Sequence, residues 1–431
     1  MEFSGLTKSG EGMYALATEL FPLCRSITGP GLRQSLTRIA REIPVQIHEV
    51  PSHTPVFDWE IPLEWEVREA FINGPNGERV VDFRDNNLHL LHYSVPFRGT
   101  LSLEQLKPHL HSLPKHPDWI PYRSSYYNET WGFCLSHNKL LELPIGLYEV
   151  VVDTRLFPGS LSYGEFFVSG DTEQEVLFSA HVCHPSLAND NLSGVVVATA
   201  LAQHLATLAS RKYGYRFLFA PATIGAIAWL SRNEANIARI RHGLTLALLG
   251  DTGSLTYKQS RLGTAFIDRT MEHVLHHCLP KGAVREFVPY GYDERQYCSP
   301  GIDIPMGCLM RTPNGEFPEY HTSADNLNFI CAESLEASLD ACLRVIEILE
   351  SDRVCLNLAS RGEPRLGKRG LYSGLKGGER PAPEEMALFW VLSYSDGHHS
   401  LLAIAERAKL PFAAVNAAAA VLERYGLITT L

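Results

Sequence analysis

The chain has 431 residues, 45% hydrophobic and 20% charged, an ordinary globular composition long enough for two or three domains. Its formal net charge is −10 and its pI is near 6.0; no Lys/Arg cluster supplies the basic footprint of a nucleic-acid binder. No run approaches the roughly 20 apolar residues that span a bilayer, and nine cysteines without CxxC pairing, behind a start lacking an apolar signal core, read as free thiols of a cytoplasmic protein.

Residues 8–50 read as a helix, a Gly/Pro turn in ITGPGL (Ile27 to Leu32), a second helix and the strand PVQIHEV. From about 53 to 150 the composition turns to Trp, Tyr, Pro and His with short alternating segments such as ERVVDF and LHLLHYSV, a small β-rich module. From 146 to 350 apolar strands alternate with helices: EVLFSAHV, then GVVVATALAQHLATLA, YRFLFAPA, TIGAIAWLSRN and LTLALLGDTG. Such alternation predicts a doubly wound, mostly parallel α/β sheet, which binds ligands at the carboxyl ends of its strands. His181, Ala222 and Asp251 all fall at such ends. Residues 356–383 are Gly-, Arg- and Pro-rich, a linker by composition, and 384–431 read as three helices with a short wing.

The stretch LFSAHVCHPSLANDNLSG raises the question of a metal site. Zinc takes His nitrogen and carboxylate oxygen, with three protein ligands and one open position in a catalytic centre. His181 ends a strand, Asp190 opens the next helix, Asp251 follows LTLALLG, and His321 sits in PEYHTSADNL. Singly, each has a bland reading: a strand-end His is more often structural, and an Asp before a helix is usually a cap. Jointly, four ligand-type residues at matching topological positions make a hydrolytic zinc site plausible.

The order His181, Asp190 in DNLSG, a strand-end pair at 222–223, Asp251, the loop YDERQYCSPGIDIP and then YHTSADNL resembles the di-zinc aminopeptidase superfamily, which includes bacterial leucine aminopeptidases and, more distantly, glutaminyl cyclases. Phrases across nearly the whole chain, among them VFDWEIPLEWEVREAFI, IPYRSSYYNETWGFCL and FPEYHTSADNL, are similar to bacterial aminopeptidase-like proteins with an inserted small domain and a C-terminal winged helix. The resemblance implies a discontinuous aminopeptidase-like domain at 1–52 and 146–355, an insert at 53–145, a linker at 356–383 and a winged-helix domain at 384–431. It implies zinc at His181, Asp190 and Asp251, with Asp190 bridging towards a second metal also bound by His321.

This chain departs from that pattern. The superfamily has paired glutamates after the strand matching YRFLFAP, the first a general base and the second a metal ligand; here Ala222 and Thr223 stand there. The Asp that usually orients the first His is replaced by Cys183, with His184 beside it. One ion is therefore expected rather than two, held by His181, Asp190 and either Asp251 or His321, with Cys183 and His184 as minor candidates. Loss of a general base costs about 10²–10⁴-fold in rate. Glu294 in GYDERQYCSPG and Glu319 in FPEYHT are the candidates to replace it, ahead of His184; as surface or salt-bridged glutamates they would have no such role.

In RSSYYNETWGF, Arg123, Tyr126 and Tyr127 are expected to line a substrate pocket together with Asp293, Arg123 receiving a carboxylate; a small aromatic core is the bland reading. From 381 to 431 there are three Lys/Arg against five Asp/Glu. DNA affinity rests largely on phosphate neutralisation, so the tail is expected to pack or to support a homo-oligomer rather than to bind nucleic acid. The sequence thus predicts a cytoplasmic zinc-dependent hydrolase acting on an amide of a small peptide or conjugated metabolite. Its alternatives are an inactive binding protein of the same fold, or acyl transfer or cyclisation in the same pocket.

Overall fold

The segment EVLFSAH lacks polar alternation and forms the strand Glu175–His181, buried at every position, as a strand covered on both faces must be. In the computed structural model, which describes residues 9–277, 282–371 and 382–431, this strand lies inside an eight-stranded sheet. Gly214–Ala220 and Ile240–Leu246 flank it in parallel, and Met306–Met310 extends the parallel run. Antiparallel pairing appears towards the edges, where Ser160–Val168 meets Gly214–Ala220 and Thr256–Lys258 meets Met306–Met310. The alternation therefore does give a mostly parallel, doubly wound α/β sheet. The chain runs from Glu175–His181 to one neighbour and then crosses to the other, so the strand order reverses at His181, the position where open α/β sheets place ligands.

The helix Gly194–Thr207 follows from a near-continuous apolar run, and Val195, Val196, Val197 and Leu201 are all buried. At the start of the described chain, Ser9 caps the helix Gly10–Leu20 by accepting the Gly12 N–H, and Met13, Leu16, Ala17 and Leu20 form its buried face.

The β-rich module contains a four-stranded antiparallel sheet in the order Arg79–Asp82, Glu64–Asn73, Leu147–Phe157, Phe97–Ser102. Its longest strand, Leu147–Phe157, lies past residue 145. Trp131 stacks between Phe97 and His109, with ring centroids 4.2 and 3.8 Å away.

The described chain divides into two compact units, one holding the sheet and the β-rich module up to Ile267 and from Ala283 to Asp340, the other Asp268–Gly282 and Ala341–Leu431. In the second, Val354–Asn357 is the central strand between Asp396–Ser400 and Ile428–Thr430. The helices Pro383–Tyr394, Leu401–Ala408 and Phe412–Arg424 complete a winged helix. Residues 356 and 357, expected in a linker, are thus part of a strand. The linker's residues 372–381, like the first eight residues on which the missing signal was judged, lie outside the described residues. Among the described residues no helix is long and apolar enough to cross a membrane.

Candidate active site

Asp190 lies in the Ala188–Ser193 segment that precedes the helix Gly194–Thr207, with non-helical backbone at Asp190 and Asn191. Its side chain is fully buried. One oxygen, Oδ1, is 2.9 Å from His181 Nε2; the other, Oδ2, is 2.9 Å from His321 Nε2. A third imidazole, His184, has its ring 5.0 Å from that of His181 and 5.2 Å from that of His321. Burial opposes ionisation of Asp190, but His184, then His181 and His321, hold its carboxyl well below the usual range. Burial pushes His184 down to about 3, which keeps its imidazole neutral and a lone pair available. Among the described residues, His181, His184 and Asp190 form a group whose possible ligand atoms all lie within 4.8 Å of one another. Two further observations fit a cation there: His321 adds a second nitrogen to the same carboxylate, and the donor set is imidazole and carboxylate, the set zinc takes.

Buried polar groups hold this cluster in place. Asp325 accepts the Asn189 N–H at 2.6 Å and the Asp190 N–H at 2.9 Å. Asn191 Oδ1 accepts the N–H groups of Gly194 and Leu248, so its amide nitrogen faces Leu246 O at 2.9 Å, His181 Nδ1 at 3.2 Å and His181 O at 3.4 Å. The Asn191 amide can therefore donate to Nδ1 of His181, which leaves the imidazole proton on Nε2, directed at Asp190 Oδ1; holding a metal through Nε2 would move that proton to Nδ1 and leave the His181 carbonyl as the acceptor for the amide. Arg25, buried beneath the loop, donates from Nε to the His184 carbonyl at 2.9 Å. The β-rich module fixes His321: Tyr122 N–H donates to the His321 carbonyl, Ser323 N–H to the Ile120 carbonyl, both at 2.8 Å.

Asp251 is not brought into this cluster. Its oxygens accept from Asn189 Nδ2 at 3.0 Å, the Gly253 N–H at 2.7 Å and Thr312 Oγ1 at 2.7 Å. It ties together the loop it begins, the capping-type role that a lone Asp usually has. Cys183 is buried and its thiol, pushed up to about 12 by burial, accepts the Ala222 N–H at 3.3 Å.

Beside the cluster opens a cleft of about 400 Å³, walled by Tyr122, Tyr126 and Tyr127 from the module and by Cys183, Ala222 and Thr223 from the sheet, with His184 and His321 at its floor. Trp59 and the exposed Tyr127 meet edge to face at 5.5 Å at its mouth. Arg123 is exposed and outside the lining; the cation in the wall is Arg295. No carboxylate is part of the lining among the described residues. Glu294 is fully buried and ion-paired with Lys258, so it is not a free base. Glu319 is half-buried in a turn where its carbonyl accepts the Thr322 N–H. Asp293 is buried, accepts the Thr223 N–H at 2.7 Å, and burial raises it to about 6.

Sequence reasoning gave His184 a minor place, considered Arg295 only as a salt-bridge partner of a glutamate, and passed over Asp325. The Asn residues on both sides of Asp190 were the available signal for a tightly wired loop; nothing local marks Arg295 rather than Arg123.

Residues 14–352 match the family described as "Domain of unknown function (DUF4910)", and residues 353–430 match a winged helix-turn-helix family. A Clostridium acetobutylicum protein, provisionally described as a polysaccharide biosynthesis protein with aminopeptidase-like domain, is 48% identical over 422 residues, covering 98% of this chain and 97% of its own. A crystal structure from the same organism, provisionally described as a peptidase, superposes with a TM-score of 0.93 at 47% identity, covering 98% of this chain and 96% of that one. A zinc aminopeptidase from Bacillus subtilis shares the fold at a TM-score of 0.59 and 13% identity, over 80% of this chain and 96% of that one.

Proposed function

The chain belongs to the DUF4910 family and has an aminopeptidase-like fold with a C-terminal winged helix; from that premise we propose that it binds one zinc ion and acts, slowly, as a hydrolase on an amide of a small peptide or peptide-conjugated metabolite. The observation that carries this reading is the placement of two imidazole nitrogens on the two oxygens of one buried carboxylate, with His184 converging on it. His181, His184 and Asp190, whose possible ligand atoms converge, would hold the ion, with His321 on the other oxygen of the same carboxylate. When bound, zinc supplies Lewis acidity that polarises an amide carbonyl and makes water acidic.

The chain's own groups do the rest. Tyr126, Tyr127 and Trp59 present aromatic faces to the substrate and exclude water. Asp325 keeps the Asp190 loop aimed by accepting the Asn189 and Asp190 N–H groups. The missing element, among the described residues, is a carboxylate on the wall: Ala222 offers a methyl group, Thr223 a hydroxyl, and Glu294 is spent on Lys258. That absence favours a second reading, an amide-binding protein without turnover.

Ala222→Glu separates the two. Hydrolysis of a dipeptide panel by zinc-loaded protein should rise by about 10²–10⁴-fold in the variant, the usual worth of a general base. No rise, with zinc content unchanged, would move the assignment to binding.

The free thiols of the described cysteines support a reducing compartment, so the reading includes the cytoplasm. The acidic balance of residues 381–431 supports packing or self-association for the winged helix rather than duplex binding.

A further inference from the structure

Arg295 is the one cation in the cleft lining among the described residues. Among the described residues its side chain makes a single hydrogen bond, a long one of 3.4 Å from Nη2 to Thr223 Oγ1. Its Nε is buried without an acceptor. A guanidinium has five donors in a planar fork suited to a carboxylate, and here most of that capacity is unspent. Asp293, whose charge it feels, accepts the Thr223 N–H with Oδ1. A buried donor left without a partner is costly and calls for an explanation, such as a ligand or water that satisfies it.

The fold holds this arginine in place. Lys258 donates to the Tyr290 carbonyl at 2.8 Å and pairs with Glu294, the residue next to Arg295. Tyr292 in the same loop stacks on His181 with centroids 5.1 Å apart. One short loop therefore connects the cluster and the cation.

Thr223 sits opposite at φ +61° and ψ −76°, and the Ile224 N–H donates to the Ala222 carbonyl at 2.8 Å. This is a γ-turn of the rare, strained hand, centred on a β-branched residue. Strain of this kind persists where surrounding structure over-determines it, typically at ligand-binding positions. Here it puts the Thr223 hydroxyl beside the Arg295 guanidinium.

We propose that Arg295 and Thr223 form an anion subsite, so that the amide taken by this cleft carries a free carboxylate, as in a dipeptide or an N-acyl amino acid. The inference rests on the amide-binding reading above. The guanidinium receives the carboxylate through its unspent N–H donors, and the threonine hydroxyl donates a further bond. The class disfavoured is neutral amides with a capped carboxyl end.

The test is calorimetric titration of full-length, zinc-loaded protein with leucylglycine and with leucylglycinamide, which differ in that carboxylate. The free acid should bind on the order of ten- to a hundred-fold more tightly, the worth of a charge-assisted pair. Arg295→Met should abolish the preference and Arg295→Lys keep part of it, with zinc content unchanged in both. Thr223→Gly removes the hydroxyl while relieving the turn, so a weakened preference there does not reflect unfolding. Equal binding of the two ligands, no binding of either, or a preference that survives Arg295→Met overturns the subsite. Failure of the underlying amide-binding reading is distinguishable, because neither ligand then binds the wild type and the subsite falls with it, whereas equal binding of both, or a preference that survives Arg295→Met, overturns the subsite alone.

Discussion

His321 sets its Nε2 2.9 Å from Oδ2 of Asp190, a residue 131 positions earlier in the chain. The loop that delivers it is bonded to the β-rich module through Tyr122 and Ile120. The module therefore does more than cover a cleft: it fixes one of the two imidazoles that face the buried carboxylate.

Asp325 should matter to the metal although it does not face the cleft. Asp325→Ala strips the acceptor from the N–H groups of Asn189 and Asp190, and zinc affinity should fall by about 10–100-fold, as for other groups that support ligands. Asp325→Asn keeps one acceptor oxygen and should recover part of the loss. Competition with a chromophoric chelator measures it; unchanged affinity in the alanine variant would show that the loop holds its shape unaided.

Lys258 and Glu294 form a buried pair with side chains 8% and 0% exposed. Lys258→Met leaves Glu294 buried without its partner and should cost about 3–5 kcal/mol in denaturant unfolding. Lys258→Met with Glu294→Gln should recover most of it. If the single variant unfolds like wild type, the pair does not pin the loop.

Burial holds His242 at about 4, with Lys212 and Arg241 adding repulsion. An unfolded histidine titrates near 6.5. Between those values the unfolded chain takes up a proton that the folded chain refuses, so stability is full above pH 6.5 and falls as pH drops towards 4. His273, also lowered to about 4 by burial, acts with the same sign. His242→Phe, in a setting already formed by Tyr213 and Phe266, should flatten the slope by up to about 1.4 kcal/mol per pH unit. An unchanged slope in unfolding midpoints across that window would contradict this.

The sheet was legible because EVLFSAH, YRFLFAPA and LTLALLG are apolar runs bounded by turn signals, and the winged helix because its three helices keep their spacing. His181 and Asp190 could be singled out because one ends a strand and the other shortly precedes a helix; His321, in the loop between Met306–Met310 and Ala332–Ser351, was marked by its PEYHTSADNL motif. Asp251 looked equivalent on that criterion, yet Asn189, Gly253 and Thr312 occupy its oxygens; a cap and a ligand have the same local signature. Glu294 looked like a free base because its partner Lys258 is 36 residues away, at the end of the strand Thr256–Lys258. Arg123 and Arg295 could not be ranked, since which arginine enters the cleft depends on how the module docks on the sheet, a long-range contact without a local pattern.

The most direct measurement is zinc per chain, by elemental analysis of full-length protein purified without chelator, for the wild type and for His181→Ala. The expected result is about one zinc in the wild type, as for a mononuclear site with an open position, and loss of it in the variant. No metal in either protein, or equal metal in both, would contradict a centre built on His181, His184 and Asp190.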